Sequence, residues 1–183
     1  MDILAHMLWT NYGTRGSNKI LAKKKKPLLH VWWTTFWGVF PDLFAFGIPF
    51  IITLSAMLIS GHFSVSFFIP SAHGSPAFGL PMNLYHYSHS LVIWGLVFGV
   101  VWIIFKHPRL ELLGWLLHIL IDIPSHAANF YPTPIFFPIS NYHFTHGIAW
   151  RDPWFMIINY SLLIIVSIYL YLSRKKSIKK EAL

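Results

Sequence analysis

Two nearly unbroken apolar runs, residues 87–105 and 154–172, constrain this chain more than any other feature. Each has about the 20 residues that cross a bilayer as a helix. Only 11% of the 183 residues are charged and 55% are hydrophobic. Soluble domains carry about a quarter charged residues, so the chain reads as an all-α, polytopic membrane protein. Segment 43–60 is nearly as long, with Gly47 and Pro49 near its start. Segments 3–12, 28–40 and 110–123 are shorter and cross only partly, or with tilt and local thinning. The expectation is about four to six transmembrane or half-membrane helices. They form one integral membrane domain over 1–173, followed by a basic tail over 174–183.

The net charge is +8. In a soluble protein that would point to nucleic acid, but here the basic residues sit beside apolar segments, so no direct nucleic-acid partner is expected. Six of them, Arg15, Lys19, Lys23, Lys24, Lys25 and Lys26, lie between the first two segments. Lys106 and Arg109 follow the run at 87–105. Arg174, Lys175, Lys176, Lys179 and Lys180 end the chain, and Arg151 stands apart. The positive-inside rule makes the three clusters cytoplasmic. Segments 61–83 and 124–153 are then exterior. No basic n-region or cleavage motif opens the sequence, so no removable signal peptide is read. No internal repeat is visible.

Polar residues in such a chain are costly and functional by default. Gly114-Trp115-Leu116-Leu117-His118-Ile119-Leu120-Ile121-Asp122 places an imidazole and a carboxylate four apart, on one helical face. Asp2 and His6 share that spacing, as do Asp122 and His126. Asp42 follows Pro41, and His86 and His89 open the run at 87–105. With the orientation above, all of these groups lie toward the outer face. Neutral imidazole and carboxylate are ordinary ligands of divalent metals. Without cysteine, thiolate sites and disulfides are excluded. Each motif also has a plainer reading. His118 and Asp122 can simply pair in a core, Asp42 can cap a helix after Pro41 ends the preceding one, and His86 and His89 can belong to an interfacial band. Ser88 and Ser90 lack any triad pattern. His62, His73, His107, His143 and His146 read as loop or interfacial residues, the last two as candidates to line an entrance. Placement of 43–60 stays open between a re-entrant or surface helix and one long broken span over 28–60 with Asp42 at mid-depth.

Four motifs in order, Met1-Asp2-(x)3-His6, Gly38-(x)2-Pro41-Asp42, Ser88-His89-Ser90-Leu91 and Gly114-(x)3-His118-(x)3-Asp122, resemble the YdjM-like family. That family is described as LexA-binding, inner-membrane-associated, metal-dependent hydrolases. The segment Asp122-Ile123-Pro124-Ser125-His126, with Pro132-Thr133-Pro134 and Phe137-Pro138-Ile139-Ser140, resembles one branch of it. Many relatives carry a His-Arg pair before the third motif; here only His86 is near, at another offset. Region 43–83 is longer and more apolar than the usual acidic loop.

The ligand order is also similar to that of zinc-dependent phospholipase C. This resemblance implies one metal, most naturally zinc, on Asp42, His89, His118 and Asp122. It implies a second that shares Asp122 and adds His6 with the N-terminal region. The later His-(x)3-Glu of those enzymes is missing, and His143-(x)2-His146 does not replace it. Expected function is membrane-bound hydrolysis of an ester or phosphoester, with a lipid or lipid-linked substrate inferred from location. Asp42 is expected as the proton acceptor and Asp122 as the bridging carboxylate; Asp2, His86 and His126 are further candidates. The rival readings are a non-catalytic scaffold with a structural His/Asp cluster, and a small metal or proton transporter made symmetric as a homodimer. The expected location is the cytoplasmic (inner) membrane of a prokaryote, among membrane lipids, with the C-terminus inside.

Overall fold

The computed structural model describes residues 1–62, 79–129 and 131–181, and no side chain beyond Ser173. His73 and most of the expected exterior segment 61–83 lie outside the described residues. Among the described residues the fold is all-helical. It comprises α1 (Ile3–Lys23), α2 (Val31–Asp42), α3 (Ile48–Ser60), α4 (Gly79–Ser88), α5 (Leu91–Phe105), α6 (Leu113–Ser125) and α7 (Pro153–Glu181).

Asp2 starts α1, its Oδ1 accepting from the Ala5 amide at 3.0 Å. The helix runs well past the expected half-span at 3–12, because nothing between Tyr12 and Lys23 breaks it. Its polar residues face inward: Thr10 and Thr14 are buried, and the Thr14 hydroxyl donates to the Thr10 carbonyl at 2.7 Å. The lysine turn then reverses the chain. Asn18 holds both the amide and the carbonyl of Leu29, at 2.8 and 2.9 Å.

Pro41 does not end its helix, contrary to the sequence expectation. Helix α2 passes through it, widens into a π-helical turn over Leu43–Gly47 and continues as α3. Proline lacks the amide that would bond one turn back, and a local π adjustment rearranges the backbone bonds so that the helix persists. The result is one 30-residue apolar helix, Val31–Ser60, with Asp42 in its interior, as in the long-span alternative. Asp42 makes no cap bond. The run at 87–105 is also not a single rod. It breaks at His89–Ser90, where Ser90 caps α5 by accepting from Val92 and Ile93, and α4 meets α5 at 60°.

Among the described residues two helices, Val31–Ser60 and Pro153–Ser173, are long and apolar enough to cross a membrane, or three if the bent α4–α5 pair counts as one. Their outward faces carry large apolar residues such as Ile59, Ile103 and Ile165, 88%, 69% and 61% exposed. Hydrocarbon is the medium that such faces suit.

Helix α1 runs parallel to α7. Asp2, Tyr12 and Lys19 meet Tyr160, Ser167 and Tyr169 in turn. Helix α2 returns beside α1 and packs on α6 through glycine. A Cβ on Gly114 would fall 2.0 Å from the Thr34 carbonyl oxygen, and one on Gly38 would fall 2.2 Å from Thr10 Oγ1. Small residues at crossings let helix backbones touch. Trp115 reaches further, donating from Nε1 to the Ser88 carbonyl at 2.6 Å, which ties α6 to the α4–α5 break. This packing places the start of α1, the end of α2, the α4–α5 break and the second half of α6 at one level.

Candidate metal centre

Five side chains named from the sequence, His6, Asp42, His89, His118 and Asp122, meet in that layer, and all five are buried. His89 Nε2 and His118 Nε2 lie 3.1 Å apart. Asp42 Oδ1 is 3.5 Å from the first and 3.8 Å from the second; Asp122 Oδ2 is 3.4 and 3.2 Å from them. On its other oxygen, Asp122 Oδ1 receives His6 Nε2 at 2.9 Å and the amino group of Met1. The two carboxylate oxygens thus serve two neighbouring groups of atoms. Buried His/Asp sets of this kind, His6–His118–Asp122 and Asp42–His89–His118, could hold a metal ion.

Backbone contacts decide which way the imidazoles face. His118 Nδ1 is 2.8 Å from the Gly38 carbonyl oxygen, which only accepts, so Nδ1 carries the proton. His89 Nδ1 lies 3.2 Å from the Tyr85 carbonyl and 2.9 Å from Ser88 Oγ, whose own proton points to that same carbonyl. In its neutral form each ring therefore directs a bare Nε2 into the cluster. Such outer contacts orient metal-binding imidazoles in general. Ring stacking adds to it: His6 lies on His118 at 3.6 Å and Tyr85 on His89 at 3.9 Å between centroids. Within the cluster, two buried atoms are left without a hydrogen-bond partner, Asp122 Oδ2 and His6 Nδ1.

Three further candidates part company here. Asp2 does not join the cluster. It precedes the first turn in extended backbone, so the four-residue spacing to His6 does not stack the two side chains, and its Oδ1 is taken by Ala5 and by the Tyr160 hydroxyl at 2.9 Å. His86, on α4, is not among the cluster's contacts; it is half-buried, its ring tilted against that of Phe137 with centroids 5.3 Å apart. His126 does approach it. Its Nε2 is 3.1 Å from the Met1 nitrogen and 3.7 Å from Asp122 Oδ1. Burial pushes its pKa down to about 3, so the ring is neutral.

Tyr85 escaped sequence reasoning, whereas the N-terminal region was expected only from the phospholipase C resemblance. Tyr85 did carry a signal, because it stands four residues before His89, the spacing seen in the other pairs. Its hydroxyl donates to the Tyr131 carbonyl at 2.9 Å and lies 2.8 Å from His126 Nδ1. With its single proton committed, the hydroxyl accepts from His126 Nδ1, and His126 Nε2 too turns bare toward Asp122.

A cavity of about 540 Å³ opens beside the cluster. Its walls are apolar, from Ile3, Leu4, Phe46 and Trp150, while Asp42, Tyr85 and His126 supply its polar edge. His143 and His146 do not line it. The segment that carries Trp150 is laced to the end of α6: the Ile148 and Trp150 amides donate to the Pro124 and Ser125 carbonyls at 2.9 and 2.8 Å. Those carbonyls end a helix and would otherwise lack partners.

Comparison with known proteins gives no match to a family model, a curated protein or a solved structure. Fold and site together define, among the described residues, an all-helical protein with helices suited to a membrane around a buried His/Asp cluster that could hold a metal.

Proposed function

We propose that this chain is an integral membrane hydrolase, dependent on a divalent metal and acting on an ester or phosphoester. The observation that carries the reading is the pair of imidazole Nε2 atoms 3.1 Å apart, beside an unpartnered Asp122 Oδ2. With both rings neutral, two lone pairs so placed repel. One shared proton would answer the nitrogens and leave the carboxylate oxygen without a donor; one divalent ion answers both. Four ligands about 2.0–2.1 Å from a tetrahedral ion stand about 3.3–3.4 Å from one another. Five separations among the atoms of Asp42, His89, His118 and Asp122 are 3.1–3.8 Å. The mixed nitrogen and carboxylate set favours zinc. His6 and His126, both beside Asp122 Oδ1, are the donors for a second ion.

A metal bound there supplies Lewis acidity and lowers the pKa of a water molecule. The chain supplies the rest. Asp42 borders the cavity, whereas Asp122 is wholly enclosed, so Asp42 is the carboxylate that can take a proton from an incoming water. Asp122 ties the two groups of ligands together. The apolar walls suit a substrate with an acyl or prenyl part, consistent with a lipid or lipid-linked ester.

The motif resemblance to the YdjM-like family leads to the same class. The basic clusters support a location in a prokaryotic inner membrane with the cluster toward the outer face. The test is turnover. The protein in mild detergent should hydrolyse a long-chain nitrophenyl ester or bis(nitrophenyl) phosphate. Chelation should abolish this and zinc restore it. Metal-loaded protein inert toward both would remove the hydrolase reading.

A further inference from the structure

We propose a second site at the other end of the helices, one that binds the phosphate of an anionic phospholipid. A cavity of about 450 Å³ lies there between α1, the start of α2 and the last turns of the α7 span. Arg15 and Lys19 line it with Asn18, Val31, Leu170 and Ser173. The two cations stand four residues apart on α1, hence on one face, where like charges repel. Neither belongs to an ion pair among the described residues. Arg15 spends only Nε, on Asn11 Oδ1 at 2.7 Å, which fixes the guanidinium and leaves its terminal donors. Lys19 Nζ sits 5.5 Å from the Tyr169 ring. A phosphate between them would relieve the repulsion and accept from both.

The cavity is built rather than incidental. Asn18 clasps the Leu29 backbone and holds the lysine turn, which fixes the start of α2 against α1. Two features favour a lipid over free phosphate. Trp32, Trp33, Tyr169 and Tyr171 are exposed nearby, as aromatic residues are at a bilayer interface. Ala22, Val31 and Leu170 give the cavity an apolar wall, which the apolar part of a lipid can use and inorganic phosphate cannot. Basic residues beside a span attract anionic headgroups.

This inference is independent of the hydrolase reading, and its test uses no turnover. The full chain, purified in a non-ionic detergent, is examined by native mass spectrometry with phosphatidylglycerol, phosphatidylcholine and inorganic phosphate. Phosphatidylglycerol should be retained at least about tenfold more tightly than phosphatidylcholine. R15Q/K19Q should reduce that preference to near parity, while K24Q/K25Q, with the same charge loss elsewhere, should keep most of it. Should the double variant fail to purify folded, K19Q alone on its exposed side chain carries the test, and K19R should restore binding. Equal retention of the two lipids, equal loss in both double variants, or displacement of the lipid by millimolar inorganic phosphate would overturn the proposal.

Discussion

Nδ1 of His118 donates to the carbonyl oxygen of Gly38, 2.8 Å away across the contact between α6 and α2. One bond thereby joins packing to chemistry. The two helices come close enough only because residue 114 is glycine, while Gly38 makes room for Thr10 of α1, and the bond turns His118 Nε2 toward Asp42 and Asp122.

Gly114→Ala should therefore damage both stability and the site. Its new methyl would meet the Thr34 backbone, which cannot swing aside as a side chain can. Overpacking of this kind costs about 1–3 kcal/mol. A lower unfolding temperature in detergent and weaker metal binding are expected together. Gly99→Ala, with nothing within 4 Å of the added carbon, serves as the control and should change neither. Unchanged melting of Gly114→Ala would contradict the packing described.

Tyr85→Phe keeps the ring on His89 and removes the hydroxyl that orients His126. Loss of an outer contact typically weakens metal binding about 10- to 100-fold. The predicted loss falls on the ion held by His6, His126 and Asp122 Oδ1, while the ion on Asp42, His89 and His118 is retained. Calorimetric titration with zinc separates the two. An unaltered isotherm would take Tyr85 out of the account.

Asp42→Asn separates an enzyme from a structural cluster. The substitution keeps size and much of the hydrogen bonding but removes the charge that a metal or an attacking water requires. Expression and thermal stability in detergent should stay nearly unchanged while metal-dependent esterase or phosphoesterase activity disappears. A variant that melts much earlier yet keeps its metal would favour the scaffold; one that is fully active would exclude Asp42 from the reaction.

Orientation is checked at Asn141, exposed in the segment between α6 and α7. The native chain has no cysteine, so Asn141→Cys gives an unambiguous signal. It should react with an impermeant maleimide in intact cells. Reaction only after lysis would put the cluster on the cytoplasmic side.

The helical class was legible because apolar length and scarce charge leave few alternatives, and the ligand spacings were legible because four residues make one helical turn. Breaks within the helices were not. Pro41 reads as a stop when only its missing amide is considered, yet the wider turn at Leu43–Gly47 carries the helix on. His89 reads as the start of a rod, yet Ser90 caps a new helix there. Asp2 shares the spacing of the true pairs but lies outside the helix that would give the spacing meaning. The Met1 amine and the Tyr85 hydroxyl enter through tertiary contacts between residues 1, 85, 126 and 131, which no local pattern encodes.

The central claim is that Asp42, His89, His118 and Asp122 hold a divalent ion. Elemental analysis of the protein purified in mild detergent from a zinc-replete culture tests it most directly, with His118→Ala prepared alongside. The account predicts at least one zinc per native chain and a content at least about tenfold lower in His118→Ala. Native protein that is folded but free of metal, or a His118→Ala variant as rich in zinc as the native chain, would contradict it.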